Sequence, residues 1–176
     1  MHVNARKMAF AGLLTAFVAI LLVLSSVIES NSLFLIAAAS FCVGIAIREW
    51  QVRLGTAFLV SSTLISLLVA PNKFYCITYA AMGIYLVLSE ILWDKIAEKQ
   101  DVKNKERVLW IGRYLIFNCI YIPSIVFFQE LLFVKKVSGV LLLGAIVIGQ
   151  LILFVYEKSY GYFQIAIWGK LRTKIM

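Results

Sequence analysis

Long apolar runs without charge constrain this chain more than any other feature. From Met8 to Ile28 the sequence contains no charged residue, and about 20 consecutive apolar residues suffice for a helix to cross the hydrocarbon core of a bilayer. Arg6 and Lys7 precede this run, as basic residues precede a signal peptide. The apolar core of a signal peptide is only about 7–15 residues long, however, and no small-residue cleavage site follows here. We therefore expect a first membrane span.

Similar runs continue along the chain. Its composition is 62% hydrophobic, whereas a soluble domain is about 45–50% apolar. The runs lack the strict alternation that a membrane β-barrel requires. We predict an all-α fold, a polytopic membrane bundle of about six transmembrane helices in one integral membrane domain, 1–176. The spans are expected at approximately 8–28, 33–47, 54–70, 74–93, 108–129 and 137–156, with an interfacial tail over 160–176.

The basic residues predict how these spans are oriented. With the N-terminus inside, 14 of the 17 lysines and arginines fall on inner segments. The outer turns then hold only Lys73, Lys135 and Lys136. Such a bias indicates that both termini are cytoplasmic in a bacterial cell membrane. Because the inner charges are divided among four separate segments, the net charge of +8 indicates topology rather than nucleic-acid binding.

The motifs of common catalytic and metal sites are missing from the sequence. There is no P-loop and no G-x-S-x-G motif, and His2 is the only histidine. Cys42, Cys76 and Cys119 each lie alone in or beside an apolar run, with no C-x-x-C pair. We expect no enzyme activity, no metal and no cofactor. Arg113 is expected to pair with Glu90 or Glu157, or to extend toward the lipid headgroups.

The first span carries a stripe of small side chains. Ala5, Ala9, Gly12, Ala16 and Ala19 follow one another at spacings of 4, 3, 4 and 3 residues, which places them on one face of a helix. Small residues allow another membrane helix to approach closely. The stripe is either ordinary packing inside the bundle or a face that docks on a separate membrane protein.

A second set of residues suggests a pocket open to the outer side. The turn APNK joins spans three and four, and tyrosines and an asparagine lie below it on spans four and five. Aromatic rings beside a few polar groups can line a small-molecule pocket, but they can equally hydrogen-bond helices to each other. Lys73 could bind an anionic ligand or contact headgroups. The candidate substrate-binding residues are Asn31, Asn72, Lys73, Tyr75, Tyr79, Asn118 and Tyr121.

The chain resembles the substrate-binding S component of energy-coupling factor (ECF) transporters, or a small bacterial membrane protein similar to it. The likeness rests on length, on about six spans with both ends inside, and on the start ARKMAFAGLLTAFVAILLVL. In that family an A-x-x-x-A motif in the first helix docks on a transmembrane coupling protein. Ala5-x-x-x-Ala9 resembles this motif, and Gly12-x-x-x-Ala16 departs from it by opening with glycine.

The resemblance implies a function. The chain would capture a vitamin-like micronutrient at the outer side of the membrane and associate with a coupling protein and two cytoplasmic ATPase subunits. The alternative is a structural or regulatory subunit of another bacterial membrane complex, with no ligand of its own.

Overall fold

The structure of the protein is a computed structural model, which describes residues 5–98, 104–127, 139–170 and 172. These residues form helices and short turns, without a strand among them. The helices are α1 (Ala5–Val27), α2 (Ser32–Val69), α3 (Lys73–Glu98), α4 (Lys105–Phe127) and α5 (Gly139–Tyr162). A short 3₁₀ turn, Glu29–Asn31, joins α1 to α2, and a π-helical segment, Phe163–Trp168, continues α5.

The all-helical prediction is confirmed for these residues. All five helices are long and apolar enough to cross a membrane. The predicted spans 8–28, 74–93, 108–129 and 137–156 each coincide with one helix, although α3 and α5 run about one and a half turns further than the predicted spans. The predicted outer turn with Lys135 and Lys136 lies outside the described residues, as do the stretch 99–103 and the last four residues of the tail.

The predicted spans 33–47 and 54–70 both lie in α2, which is interrupted at Gln51. The backbone of Gln51 has φ 69° and ψ 165°, a conformation that is otherwise almost confined to glycine. A Cβ atom added to Gly55 would lie 2.9 Å from the Cα atom of Ile47. In a straight helix these residues, eight apart, would be separated by about 12 Å. The chain therefore reverses direction at Gln51, and the loop expected over 48–53 shrinks to one residue.

Backbone contacts divide the chain into two compact units, Met1–Ile91 and Leu92–Met176. In the first unit, α1 packs mainly on α2. The ring of Phe10 meets the ring of Trp50 edge to face at 5.8 Å, so the start of α1 lies beside the turn at Gln51. In the second unit, α4 packs on α5. That the whole chain forms a single membrane domain stays a prediction.

Candidate docking face and polar contacts

The small-residue stripe of α1 is turned away from the rest of its unit. The face of α1 that packs on α2 is formed by Leu14, Val18, Leu22 and Ser25, which are all buried. These residues lie roughly opposite the stripe at 100° per residue. The stripe is therefore not the surface by which α1 packs on α2.

The exposure of the stripe residues supports the same conclusion. Ala5, Ala9, Gly12 and Ala16 are exposed, and Ala19 is half-buried. No described residue comes within 4 Å of the position that a Cβ atom on Gly12 would take. Larger apolar side chains flank the stripe, with Met8 65% and Leu13 69% exposed. A neighbouring helix could therefore reach the α1 backbone over about three turns.

The turn between α2 and α3 uses its polar groups to end one helix and begin the next. The backbone N–H of Phe74 donates to Oδ1 of Asn72 at 3.0 Å, a local contact typical of asparagine in turns. The ammonium of Lys73 donates to the carbonyls of Leu67 and Ala70, the latter at 2.9 Å. A cation here satisfies carbonyls left free at the C-terminus of α2.

Tyr79 lies in the core of the first unit. It is fully buried, and its hydroxyl forms a 2.7 Å hydrogen bond with the hydroxyl of Ser62 on α2. Tyr75, one turn earlier, is half-buried, and Asn31 is exposed in the 3₁₀ turn. Asn31 makes no side-chain cap at the start of α2.

Asn118 and Tyr121 lie in the second unit and contact α5. The amide of Asn118 accepts from Nε2 of Gln150 at 2.7 Å and donates to its Oε1 at 3.4 Å. It also donates to the carbonyl of Tyr114 at 2.8 Å. The hydroxyl of Tyr121 donates to the carbonyl of Ala145 at 3.0 Å. A pocket wall shared by Tyr75, Tyr79, Asn118 and Tyr121 stays a prediction.

Two ion pairs hold buried carboxylates. Arg113 contacts Glu157 at 2.8 Å, which confirms one of the partners expected for this arginine. Glu90, the other expected partner, is paired with Arg48 at 3.0 Å, within the first unit. The sequence does not predict the Arg48 pair, because Arg48 lies between the predicted spans 33–47 and 54–70. The turn at Gln51 extends the helix around Arg48 and places that side chain against α3.

No cluster of three or more metal-ligating side chains occurs among the described residues. Cys42 and Cys76 are buried, and Cys119 is exposed. Comparison of the chain with protein-family models, with curated proteins and with solved structures gave no match. The likeness to S components therefore depends on the topology and the first-helix motif alone.

Proposed function

We propose that this chain is a membrane-embedded subunit that docks on a partner membrane protein through the small-residue stripe of α1. The observation that carries this proposal is the outward orientation of the stripe, with open space over Gly12. Between membrane helices there is no hydrophobic driving force, so association depends on close packing. A helix face built from alanine and glycine is suited to such packing.

The resemblance specifies the partner. As an S component of an ECF transporter, the chain would dock on a transmembrane coupling protein that carries two ATPase subunits. It would capture a vitamin-like small molecule on the outer side and hold it near Asn72, Lys73 and Tyr75. Transport energy would come from the ATPases, and this chain would be a binding subunit rather than an enzyme.

A structural or regulatory subunit without a ligand is the second candidate. It is favoured by the contacts of the proposed pocket residues, since Tyr79 pairs with Ser62 and Asn118 pairs with Gln150. Lys73 likewise donates to backbone carbonyls. These groups already have protein partners, and a ligand would have to compete with them. Both candidates use the same docking face.

We further propose six crossings, with both termini in the cytoplasm of a bacterial cell. The reversal of α2 at Gln51 supports two crossings where one long helix would give a single one. The basic residues support the orientation, because Arg48 and Arg53 flank this turn whereas only Lys73 lies at the next one.

The docking face is tested by replacing its small residues with larger ones. In Gly12→Leu and Ala9→Leu a bulky side chain keeps the partner backbone at a distance, so co-purification of partner proteins from bacterial membranes in mild detergent should fall at least about tenfold. Val27→Leu, on a residue that is 72% exposed beyond the stripe, is the matched control. Mass spectrometry of the captured proteins should identify an ATPase if the ECF assignment is right.

Each part of the proposal has its own contrary result. Capture that is unchanged in both stripe variants would show that docking occurs elsewhere. Capture that depends on the stripe but contains no ATPase would support the regulatory subunit. Mass spectrometry of small molecules retained by the purified protein separates a ligand-binding subunit from one without a ligand.

A further inference from the structure

A groove runs along the surface of the first unit, between α1 and α2. Its volume is about 410 Å³, and it is lined by Lys7, Ala11 and Thr15 of α1 and by Trp50, Ala57 and Ser61 of α2. Most of its walls are apolar. We call it the α1–α2 groove.

In the proposed six-span topology, the groove begins at the cytoplasmic membrane surface and extends through most of one leaflet. Lys7 and the turn at Gln51, with Arg48 and Arg53 on either side, mark its charged end. From Lys7 to Thr15 the helix rises about 12 Å. One leaflet contributes about 15 Å of the hydrocarbon core. The groove therefore has the length of an acyl chain that descends from the headgroup region toward the bilayer centre.

Trp50 supplies an unused hydrogen-bond donor at the charged end. Its side chain lines the groove and is only 6% exposed. Its indole Nε1–H is buried and has no acceptor among the described residues. Roughly 90% or more of buried polar groups in proteins have a partner, so this N–H indicates that an acceptor belongs beside it.

We infer that the α1–α2 groove binds one anionic phospholipid of the leaflet that contains the turn at Gln51. The acyl chain lies along the apolar walls, and the phosphate lies between the Lys7 ammonium and the indole of Trp50. Movement of the flexible Lys7 and Met8 side chains at the rim would open the N–H to the phosphate. The positive-inside orientation makes this the cytoplasmic leaflet, where anionic headgroups attract basic residues near the membrane surface. The leaflet assignment rests on the proposed topology, and Gly12 of the docking stripe also lines the groove, but no substrate is involved.

Native mass spectrometry of the delipidated full-length protein tests this site. The protein is titrated in detergent with phosphatidylglycerol and with phosphatidylcholine of the same chains. The first phosphatidylglycerol should bind about fivefold more tightly than phosphatidylcholine, as expected for one lysine near the headgroup. Equal affinities for the two lipids would overturn the anionic assignment.

Filling the groove tests its location. Ala57→Phe places a ring where the acyl chain would lie and should weaken the first phosphatidylglycerol at least about tenfold. Val60→Phe adds the same ring on the same helix, at a residue that is 59% exposed and does not line the groove, and should bind as the native protein does. Ser61→Phe repeats the test if Ala57→Phe does not accumulate. Equal binding by groove-filling and control variants would overturn the site.

Two conservative variants test the headgroup contacts. Lys7→Gln should lose the fivefold preference for phosphatidylglycerol and leave phosphatidylcholine unchanged. Trp50→Phe keeps a ring against Phe10 but removes the N–H, and should weaken both lipids about three- to tenfold. If neither variant changes the affinity for either lipid, the phosphate does not lie between these residues.

Discussion

Three of the candidate pocket side chains hydrogen-bond to groups on a neighbouring helix. Tyr79 bonds to Ser62, Asn118 to Gln150, and Tyr121 to the carbonyl of Ala145. The hydrocarbon tails of lipids cannot hydrogen-bond such groups, so within the bilayer core these partners come from the protein. At the scale of single residues, Tyr79, Asn118 and Tyr121 therefore join helices to one another.

The Asn118–Gln150 pair can be measured by a double-mutant cycle. Asn118→Ala removes the partner of the Gln150 amide, and Gln150→Ala removes the partner of the Asn118 amide. The double variant has no amide at either position and therefore leaves no amide without its partner. Membrane hydrogen bonds measured in this way average about 0.6 kcal/mol, with values up to about 1.7. We expect a coupling energy in that range for the free energy of unfolding in detergent.

Ser124→Ala is the control for this cycle, since the Ser124 hydroxyl donates to Ile120 of its own helix and should not couple to Gln150→Ala. A coupling energy near zero for Asn118 would contradict the structural role. If Asn118→Ala weakened a bound small molecule and left the stability unchanged, Asn118 would instead line a pocket.

The amino-acid sequence predicts that Asn118 faces the inside of the protein. It does not predict which residue Asn118 contacts there. An amide is costly in lipid, and this alone predicts that Asn118 faces other helices. Gln150 lies 32 residues further along the chain, and the register between α4 and α5 decides whether the two amides meet. Gly149 sets part of that register, because any side chain there would overlap the Tyr121 ring.

At the scale of helices, α2 shows what the sequence leaves open. Its two apolar halves predict two spans, and basic residues between them predict a turn at a membrane surface. The residue that makes the turn is Gln51, and neither glycine nor proline marks that position. The sequence instead contains Gly55, whose role becomes visible only from its distance to the Ile47 backbone.

Gly55→Ala tests this tight turn. The new methyl group would lie 2.9 Å from the Cα atom of Ile47, and backbone cannot move aside as a side chain can. We expect a loss of about 1–3 kcal/mol in the free energy of unfolding, measured by unfolding in detergent.

The matched control is Gly144→Ala, where no described residue lies within 4 Å of the new methyl group. Here the better helix propensity of alanine should leave stability unchanged or slightly higher. Equal behaviour of the two variants would mean that α2 does not fold back at Gln51.

The sequence also does not determine that the small-residue stripe of α1 faces outward. Small residues at spacings of 3 and 4 serve internal packing as well as docking. Another face of α1, with Leu14, Val18 and Leu22, is also apolar, so hydropathy does not distinguish the two. Only packing against α2 shows which face is used inside the bundle.

At the scale of the whole molecule, the described residues of each compact unit include an ion pair that holds a buried carboxylate. Arg48 holds Glu90 in the first unit, and Arg113 holds Glu157 in the second. In the proposed topology all four residues lie toward the cytoplasmic side. Breaking either pair would leave a buried charge, which is strongly destabilising, so we interpret both as structural supports for their units.

The direction of each crossing can be tested with single cysteines in a Cys119→Ser background, which leaves only the buried Cys42 and Cys76. If α2 folds back, Gln51→Cys lies at the cytoplasmic surface and Asn72→Cys at the outer surface. A membrane-impermeant maleimide should label Asn72→Cys in intact cells, and Gln51→Cys only in inverted vesicles. Reporter fusions after Asp101 and at the C-terminus should both indicate the cytoplasm. If Gln51→Cys reacts from neither side, residue 51 lies within the bilayer, α2 crosses once, and the six-span topology is wrong.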